Sequence, residues 1–219
     1  MTTSRPASNE SARKRDPERS RQAILDAATR EFANHGFGGA RVDRIAASAG
    51  ANKRMIYHYF GNKEALFRHV LEAAYERIRT HEQTLDLDHL DPVAAVRTLV
   101  DFTFGYFIEN PEFIRLLNNE NLYDAAHTQS SERIPKMHFT LVSLIDDVLK
   151  RGAADGVFRS GVDPVQFYIS IASLGYFYLS NASTLQVIFS RDLRKKPSLD
   201  ERQRHIEDVI LGYLRPETD

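Results

Sequence analysis

The sequence that decides the fold is GFGGARVDRIAASAGANKRMIYHYFGNKEALF, residues 36–67. Residues 43–49 are predicted to form a short helix that stops at Gly50, because a glycine backbone reaches conformations that strain other residues. Asn52 is a favourable cap for a second short helix over Lys53–Phe60. Two short helices separated by a glycine-containing turn predict a helix-turn-helix, whose second helix enters the major groove of DNA.

The helices on either side of this motif have clear start and stop signals. Pro17, behind the cap residue Asp16, is expected to start the first helix, and Gly36 is expected to end it. Asn62 is expected to cap a fourth helix over residues 63–83. Further along the chain, apolar residues recur at helical spacing, and no segment has the alternation of β-branched and polar residues that is typical of a strand. The predicted fold class is therefore all-α.

Charge is distributed unevenly along a chain whose formal net charge is only −1. Residues 1–70 carry a net charge of +6 and residues 71–219 a net charge of −7. A basic front end on an acidic body indicates that the front end meets a polyanion, although chance clustering on solvated helices would give the same pattern. A flexible basic arm over residues 1–16, with Arg13, Lys14 and Arg15, is suited to salt-dependent attraction to DNA.

Basic side chains fall where a helix-turn-helix contacts DNA. Lys53 and Arg54 lie in the first turn of the second motif helix, and both side chains donate to the O6 and N7 atoms of guanine. Lys63 stands beside the free N–H groups that open the fourth helix, an arrangement that binds phosphate. Arg41 and Arg44, at the start of the first motif helix, are predicted to contact the DNA backbone from another side.

The same segment resembles the DNA-binding part of TetR/AcrR-type transcriptional regulators. The matching residues are Ile45-Ala46, Ala49-Gly50, Tyr57-His58-Tyr59-Phe60 and Lys63-Glu64-x-Leu66. The resemblance implies an all-helical homodimer with a small-molecule effector pocket in its C-terminal domain. It also implies base or phosphate contacts at Lys53, Arg54, Tyr57, His58 and Lys63. A core role for Tyr57 and an uninvolved surface position for His58 are the alternatives.

One position departs from the family pattern. The family usually has Ser or Thr at the start of the first motif helix, whereas this chain has Ala40-Arg41. The positive charge of Arg41 is expected to restore the phosphate contact that the family's Ser or Thr makes. The helix cap is expected to be lost unless the backbone or a water molecule supplies it.

The chain is expected to divide behind the motif. Residues 17–70 form the predicted DNA-binding domain, and residues 71–219 form a larger helical domain for effector binding and dimerisation. This second region resembles, more loosely, the family branch that includes the pyrimidine-utilisation repressor. Within it, residues 124–133 have loop composition.

An aromatic-rich helix followed by a polar cluster is the predicted effector site. Binding pockets combine apolar walls with a few placed polar groups. The predicted contacts are Phe102, Tyr106, Phe107, Asn118, Asn119 and Asn121. The expected effector is a small planar or aromatic molecule. Aromatic residues at helical spacing are more often simple core, and that alternative stays open here.

Two later helices predict how the chain assembles. Residues 165–179, VQFYISIASLGYFYL, are apolar around most of a helix and so need cover on more than one side. The last helix has one apolar stripe, made by Leu199, Ile206, Val209, Ile210 and Tyr213. Pairing of these helices between two subunits predicts a symmetric homodimer on a near-palindromic operator in double-stranded DNA.

These features together predict a ligand-responsive transcriptional repressor that acts in the cytoplasm and uses no metal or cofactor. The chain has no cysteine, no signal-peptide pattern and no apolar run long enough to span a bilayer. An activator or architectural DNA-binding protein without an effector is the first alternative. A helical enzyme is the second, and the lack of an H-E-x-x-H spacing or glycine-rich phosphate loop argues against it.

Overall fold

The computed structural model describes residues 16–216, which form eleven helices and no strand. The all-α prediction is confirmed. The predicted arm over residues 1–16, with Arg13, Lys14 and Arg15, lies outside the described residues except for Asp16. The helices are α1 Pro17–Gly39, α2 Val42–Ser48, α3 Lys53–Phe60, α4 Lys63–Glu82, α5 Pro92–Glu109, α6 Pro111–Asn121, α7 Ala126–Gln129, α8 Arg133–Ala154, α9 Pro164–Ser180, α10 Ala182–Ile188 and α11 Lys196–Leu214.

The start and stop signals of the first four helices act as the sequence predicts. The Asp16 side chain accepts a hydrogen bond from the backbone of α1, and those of Asn52 and Asn62 do the same for α3 and α4. Gly36 has φ +67° and breaks α1, which resumes for one short turn as far as Gly39. A Cβ at Gly36 would also collide with the side chain of Asn119. Glycine is therefore required at this position by both backbone angle and space.

The loop predicted over residues 124–133 is wrong in part. Residues 124–133 are not all loop, because the short helix α7 lies within them. The buried carboxylate of Glu120 stabilises α7 by accepting hydrogen bonds from the Thr128 N–H, at 2.6 Å, and from His127 Nδ1, at 2.8 Å.

Two main groups of buried side chains form the core. The first fills the space between α1, α2, α3 and the front of α4, and includes Phe32, Ile45, Ile56 and Phe67. The second lies between α5, α8, α9 and α11, and a smaller aromatic cluster connects α4, α5 and α6. Helix α4 therefore contributes to the core on both sides of the predicted domain boundary and crosses it without interruption. Across residues 16–216, no helix is long and apolar enough to cross a membrane.

Candidate DNA interface and ligand site

Helix α3 has one buried face and one exposed face. Ile56 and Phe60 are buried against α1, α2 and α4. Lys53, Arg54, Tyr57 and His58 are exposed, with 48% of Tyr57 accessible to solvent. The apolar side chains fix the orientation of the helix, and the groups available to a nucleic acid point outward. This places four of the seven predicted DNA-contacting residues on one surface.

Lys53 has a partner on the preceding helix. Its Nζ atom lies 2.6 Å from Oδ1 of Asp43, which is exposed on the first turn of α2. An exposed ion pair of this kind contributes at most about 1 kcal/mol and is screened by salt. The amine can therefore exchange Asp43 for a base or phosphate at little cost.

Arg44 connects α1 to the start of α2. Its Nε donates to Oε1 of Glu31 at 2.7 Å, and its Nη2 donates to the Gly39 carbonyl at 2.8 Å. Glu31 also accepts the Arg41 N–H at 2.9 Å. Burial opposes ionisation of Glu31, but the hydrogen bonds from Arg44 and Arg41 outweigh it and lower the pKa of the carboxyl. The side chain of Arg41 makes no capping bond, as predicted, and a carboxylate beside the N-terminus of α2 is favourable for the helix dipole.

Lys63 extends over an aromatic ring at the start of α4. Its Nζ atom lies 4.8 Å from the centre of the Phe37 ring, a cation–π contact that leaves the amine near the N-terminus of the helix. The centre of the Phe37 ring also lies 4.6 Å from that of the His127 ring in α7. The backbone N–H of Phe37 donates a hydrogen bond to Oδ1 of Asn119 at 3.2 Å. The C-terminal region thus contacts the helix-turn-helix directly at Phe37.

Among residues 16–216, the six predicted effector contacts lie in different surroundings. Phe102 and Tyr106 line an open groove between α4 and α5, where burial raises the pKa of Tyr106 to about 12. Phe107 is buried against Phe113. The remaining three are asparagines of α6, which differ in their surroundings. Asn118 accepts a hydrogen bond from Tyr176, Asn119 contacts Phe37, and Asn121 is exposed.

A buried polar cluster that the sequence reading did not predict lies between α4, α8 and α9. Its members are Tyr75, Arg79 and Glu82 of α4, His138 of α8 and Tyr168 of α9. Arg79 Nη2 donates to the Tyr168 hydroxyl at 3.0 Å, and the Tyr75 and His138 rings meet edge to face at 5.0 Å. Burial raises the pKa of Tyr75 to about 12 and lowers that of His138. One sequence signal was available: Leu71, Tyr75, Ile78 and Glu82 share an inward-facing stripe, so the carboxylate occupies an apolar position.

The charged pair in this cluster is incompletely hydrogen-bonded. Arg79 and Glu82 are only 4% and 3% exposed, and Arg79 Nε lies 3.0 Å from Glu82 Oε2. Within residues 16–216, however, Arg79 Nε and Nη1 and both carboxylate oxygens of Glu82 have no hydrogen-bond partner. Buried charged groups that lack hydrogen bonds are costly even when they are ion-paired, and they concentrate at functional sites. Both residues line a small pocket with a cavity volume of about 20 Å³, room for about one water molecule.

The fold and the exposed basic face of α3 together define a helix-turn-helix DNA-binding protein. Two family models match the chain: "Bacterial regulatory proteins, tetR family" over residues 24–70, and "Tetracyclin repressor-like, C-terminal domain" over residues 92–210. The chain belongs to the TetR family of transcriptional regulators, and the predicted resemblance is confirmed.

Relatives with similar lengths support this assignment. The HTH-type transcriptional repressor NicS of Pseudomonas putida is 38% identical over 203 residues, which cover 93% of this chain and 96% of NicS. The HTH-type transcriptional regulator RutR of Escherichia coli K12 is 26% identical over 200 residues, covering 90% and 91% of the two chains. A solved structure of a Streptomyces coelicolor transcriptional regulator superposes with a TM-score of 0.66 at 26% identity, covering 89% of this chain and 98% of that one.

Glu82 should make the stability of the protein depend on pH. Burial raises its pKa to about 7 against the opposing charge of Arg79, so the folded protein retains a proton that the unfolded chain loses near pH 4.5. The resulting stabilisation is present at pH 5 and is lost as the pH rises through 7. Glu82→Gln imitates the protonated form and keeps this stabilisation.

We therefore expect wild type to lose about 2 kcal/mol of unfolding free energy relative to Glu82→Gln between pH 5 and pH 8. Urea unfolding of both proteins at the two pH values measures this difference. Equal pH dependence of the two proteins would show that Glu82 ionises normally in the folded state.

Proposed function

We propose that this TetR-family regulator is a ligand-responsive repressor that binds a near-palindromic operator as a homodimer. The exposed polar face of α3, fixed from behind by Ile56 and Phe60, carries the DNA-binding part of the proposal. On this account residues 17–70 are the DNA-binding domain and residues 71–219 the effector-binding and dimerisation domain. The relatives NicS and RutR, named as a repressor and a regulator, support this reading.

The predicted DNA contacts have different roles. Lys53 and Arg54, at the N-terminal end of α3, read base edges, while the exposed Tyr57 and His58 contact bases or phosphate further along the same face. Lys63 joins the N–H groups at the start of α4 in binding a phosphate. Arg41 and Arg44 are proposed to contact the DNA backbone, and Arg44 also positions α2 through Glu31.

The outer surface of α9 and α11 supports the proposed homodimer. These two helices pack on each other and leave five apolar side chains about half exposed, namely Val165, Ile169, Phe177, Val209 and Tyr213. Contiguous exposed apolar side chains are typical of an interaction surface. The predicted stripe of α11 is split: Ile206 and Ile210 are buried in their own subunit, and only Val209 and Tyr213 remain for a partner.

The incompletely hydrogen-bonded Arg79–Glu82 pair favours an effector over an architectural role without one. A fold that needed only to present α3 would be more stable with apolar residues at these positions. The cluster includes no arrangement of nucleophile, base and orienting group, and a regulator that binds DNA in the cytoplasm remains the better account than an enzyme.

Substitutions in α3 and α4 should separate base reading from phosphate binding. On genomic fragments that the purified full chain retains, Lys53→Ala and Arg54→Ala should each relax sequence choice at one position per half-site, by about 1–3 kcal/mol. Lys63→Ala should weaken binding to all sequences equally and reduce the salt slope by about 1.

Fluorescence anisotropy against a set of single-base operator variants measures both effects. Lys150→Ala, which removes an exposed lysine of α8, is the matched control and should leave affinity unchanged. Unaltered affinity and specificity in both α3 variants would contradict the assignment of α3 as the recognition helix.

A charge on the exposed face of α9 should separate the subunits. Phe177 is 58% exposed, so Phe177→Arg should leave the subunit folded but place an arginine in the apolar dimer contact. Phe139, on α8, is 72% exposed and provides the control Phe139→Arg. Sedimentation velocity at micromolar concentration should give a monomer for Phe177→Arg and dimers for the control and wild type. A monomeric wild type, or a dimeric Phe177→Arg, would refute this interface.

A further inference from the structure

We propose that Lys53 and Asp43 together read one G·C base pair, with Lys53 donating to guanine and Asp43 accepting from the N4 amino group of cytosine. Asp43 is not one of the DNA contacts predicted from the sequence, and this role makes it a specificity-determining residue of α2. The inference rests on the proposed function, since it names a base pair that each half of the operator must present to α3.

Asp43 is an acidic side chain on the surface that is proposed to bind a polyanion. Across Val42–Ser48 and Lys53–Phe60 it is the only acidic residue, and its side chain is more than half exposed. A carboxylate close to phosphate groups is repelled unless a cation or a hydrogen-bond donor faces it. On bound DNA, Asp43 therefore requires Lys53, an amino group of a base, or both.

Lys53 also occupies a position that is unfavourable in the free protein. It is the first residue of α3, and the first turn of this helix contains no acidic residue. A cation at the N-terminus of a helix opposes the helix dipole. The Asp43 carboxylate, with Oδ1 2.6 Å from Lys53 Nζ, offsets this charge from the neighbouring helix. When the N-terminus of α3 enters the major groove, the amine brings the carboxylate to the base edges with it.

The spacing of the pair matches the edge of a G·C base pair. Guanine presents the acceptors O6 and N7 in the major groove, and cytosine presents the N4 donor. Guanine O6 and cytosine N4 are hydrogen-bonded to each other, so they lie about 2.9 Å apart. Lys53 Nζ and Asp43 Oδ1 are separated by 2.6 Å. Nζ facing O6 and Oδ1 facing N4 complete a ring of alternating donors and acceptors in which the ion pair stays intact.

Other base pairs present a less complementary edge to the same two side chains. A C·G pair, with cytosine facing Lys53, sets the amine against a donor and the carboxylate against guanine O6, and A·T makes the same reversal at the centre of its edge. A T·A pair keeps the order of O4 acceptor and N6 donor, but has a methyl group where guanine has N7. The expected order of affinity is therefore G·C, then T·A, then A·T and C·G.

Operator variants with one base pair changed at a time identify the position that the two side chains read. Wild type should prefer G·C to C·G by at least about tenfold at one position of each half-site. Asp43→Ala should reduce this preference at that position and no other, and Lys53→Ala should act at the same position. An Asp43→Ala protein whose affinity changes equally for all operators would overturn the proposal, because helix stabilisation or general repulsion would then explain the carboxylate. A change at a different position from that of Lys53→Ala would also overturn it.

A modified base tests the contact with cytosine N4 in the wild-type protein. N4-methylcytosine still pairs with guanine, but a methyl group replaces the N4 hydrogen that faces the major groove. At the identified position it should weaken wild-type binding by at least about fivefold and leave the affinity of Asp43→Ala unchanged. Unaltered wild-type affinity, or an equal loss in both proteins, would show that Asp43 does not contact N4.

Glu64→Ala is the matched control for loss of a negative charge. It removes an exposed carboxylate from the first turn of α4 and should change the affinity for all operators by the same factor. Circular dichroism confirms that Asp43→Ala and Glu64→Ala are folded before their affinities are compared.

The α3 variants distinguish failure of this inference from failure of the proposed function. If Lys53→Ala and Arg54→Ala relax sequence choice while Asp43→Ala and N4-methylcytosine have no position-specific effect, only the role of Asp43 is refuted. If neither α3 variant alters sequence choice, the assignment of α3 as the recognition helix fails as well.

Discussion

The constraint on which the rest of the structure depends is the continuity of α4. Its front half is part of the helix-turn-helix core, where Phe67 is fully buried, and its last turn carries the Arg79–Glu82 pair. A second connection runs from α6 and α7 to Phe37, through Asn119 and His127. Because α-helices are stiff over this length, the environment of the pair and the orientation of α3 cannot change independently. The division into a DNA-binding part and a ligand-binding part is therefore a division of roles within one connected core.

The local features of the fold could be predicted because their causes are local. Asn52 and Asn62 cap helices through backbone groups a few residues away, and Gly36 breaks α1 through its own φ angle. The surroundings of the six predicted effector residues were harder to predict, because they depend on contacts between distant segments. Asn119 has the same local sequence setting as Asn118, yet one contacts Phe37 and the other Tyr176. Only the packed structure distinguishes a polar residue facing a pocket from one facing the neighbouring domain.

Charged residues at apolar positions show where the chain departs from maximum stability. Glu82 occupies the inward stripe of α4, and its burial beside Arg79 costs free energy that a leucine would not. Glu31 is a contrasting case, because its carboxylate accepts hydrogen bonds from the Arg41 N–H and from Arg44 Nε. These bonds position the start of α2, which lacks a side-chain cap. The carboxylate of Glu82 accepts no hydrogen bond within residues 16–216, whereas that of Glu31 accepts hydrogen bonds from Arg41 and Arg44. The two carboxylates therefore differ in whether their oxygens accept hydrogen bonds from the protein.

The central claim, that a change at the last turn of α4 reaches the helix-turn-helix, has a direct test in the distance between the two copies of α2 in the proposed homodimer. The chain contains no cysteine, so Ser48→Cys, at an exposed position of α2, introduces a unique site for a spin label. Pulsed electron–electron double resonance on the dimer should give one mean distance at pH 5, where Glu82 is protonated, and a different one at pH 8, where it is ionised. The same distance distribution at both pH values would contradict the account, because a change of charge at the Arg79–Glu82 pair would then leave the DNA-binding surface unmoved.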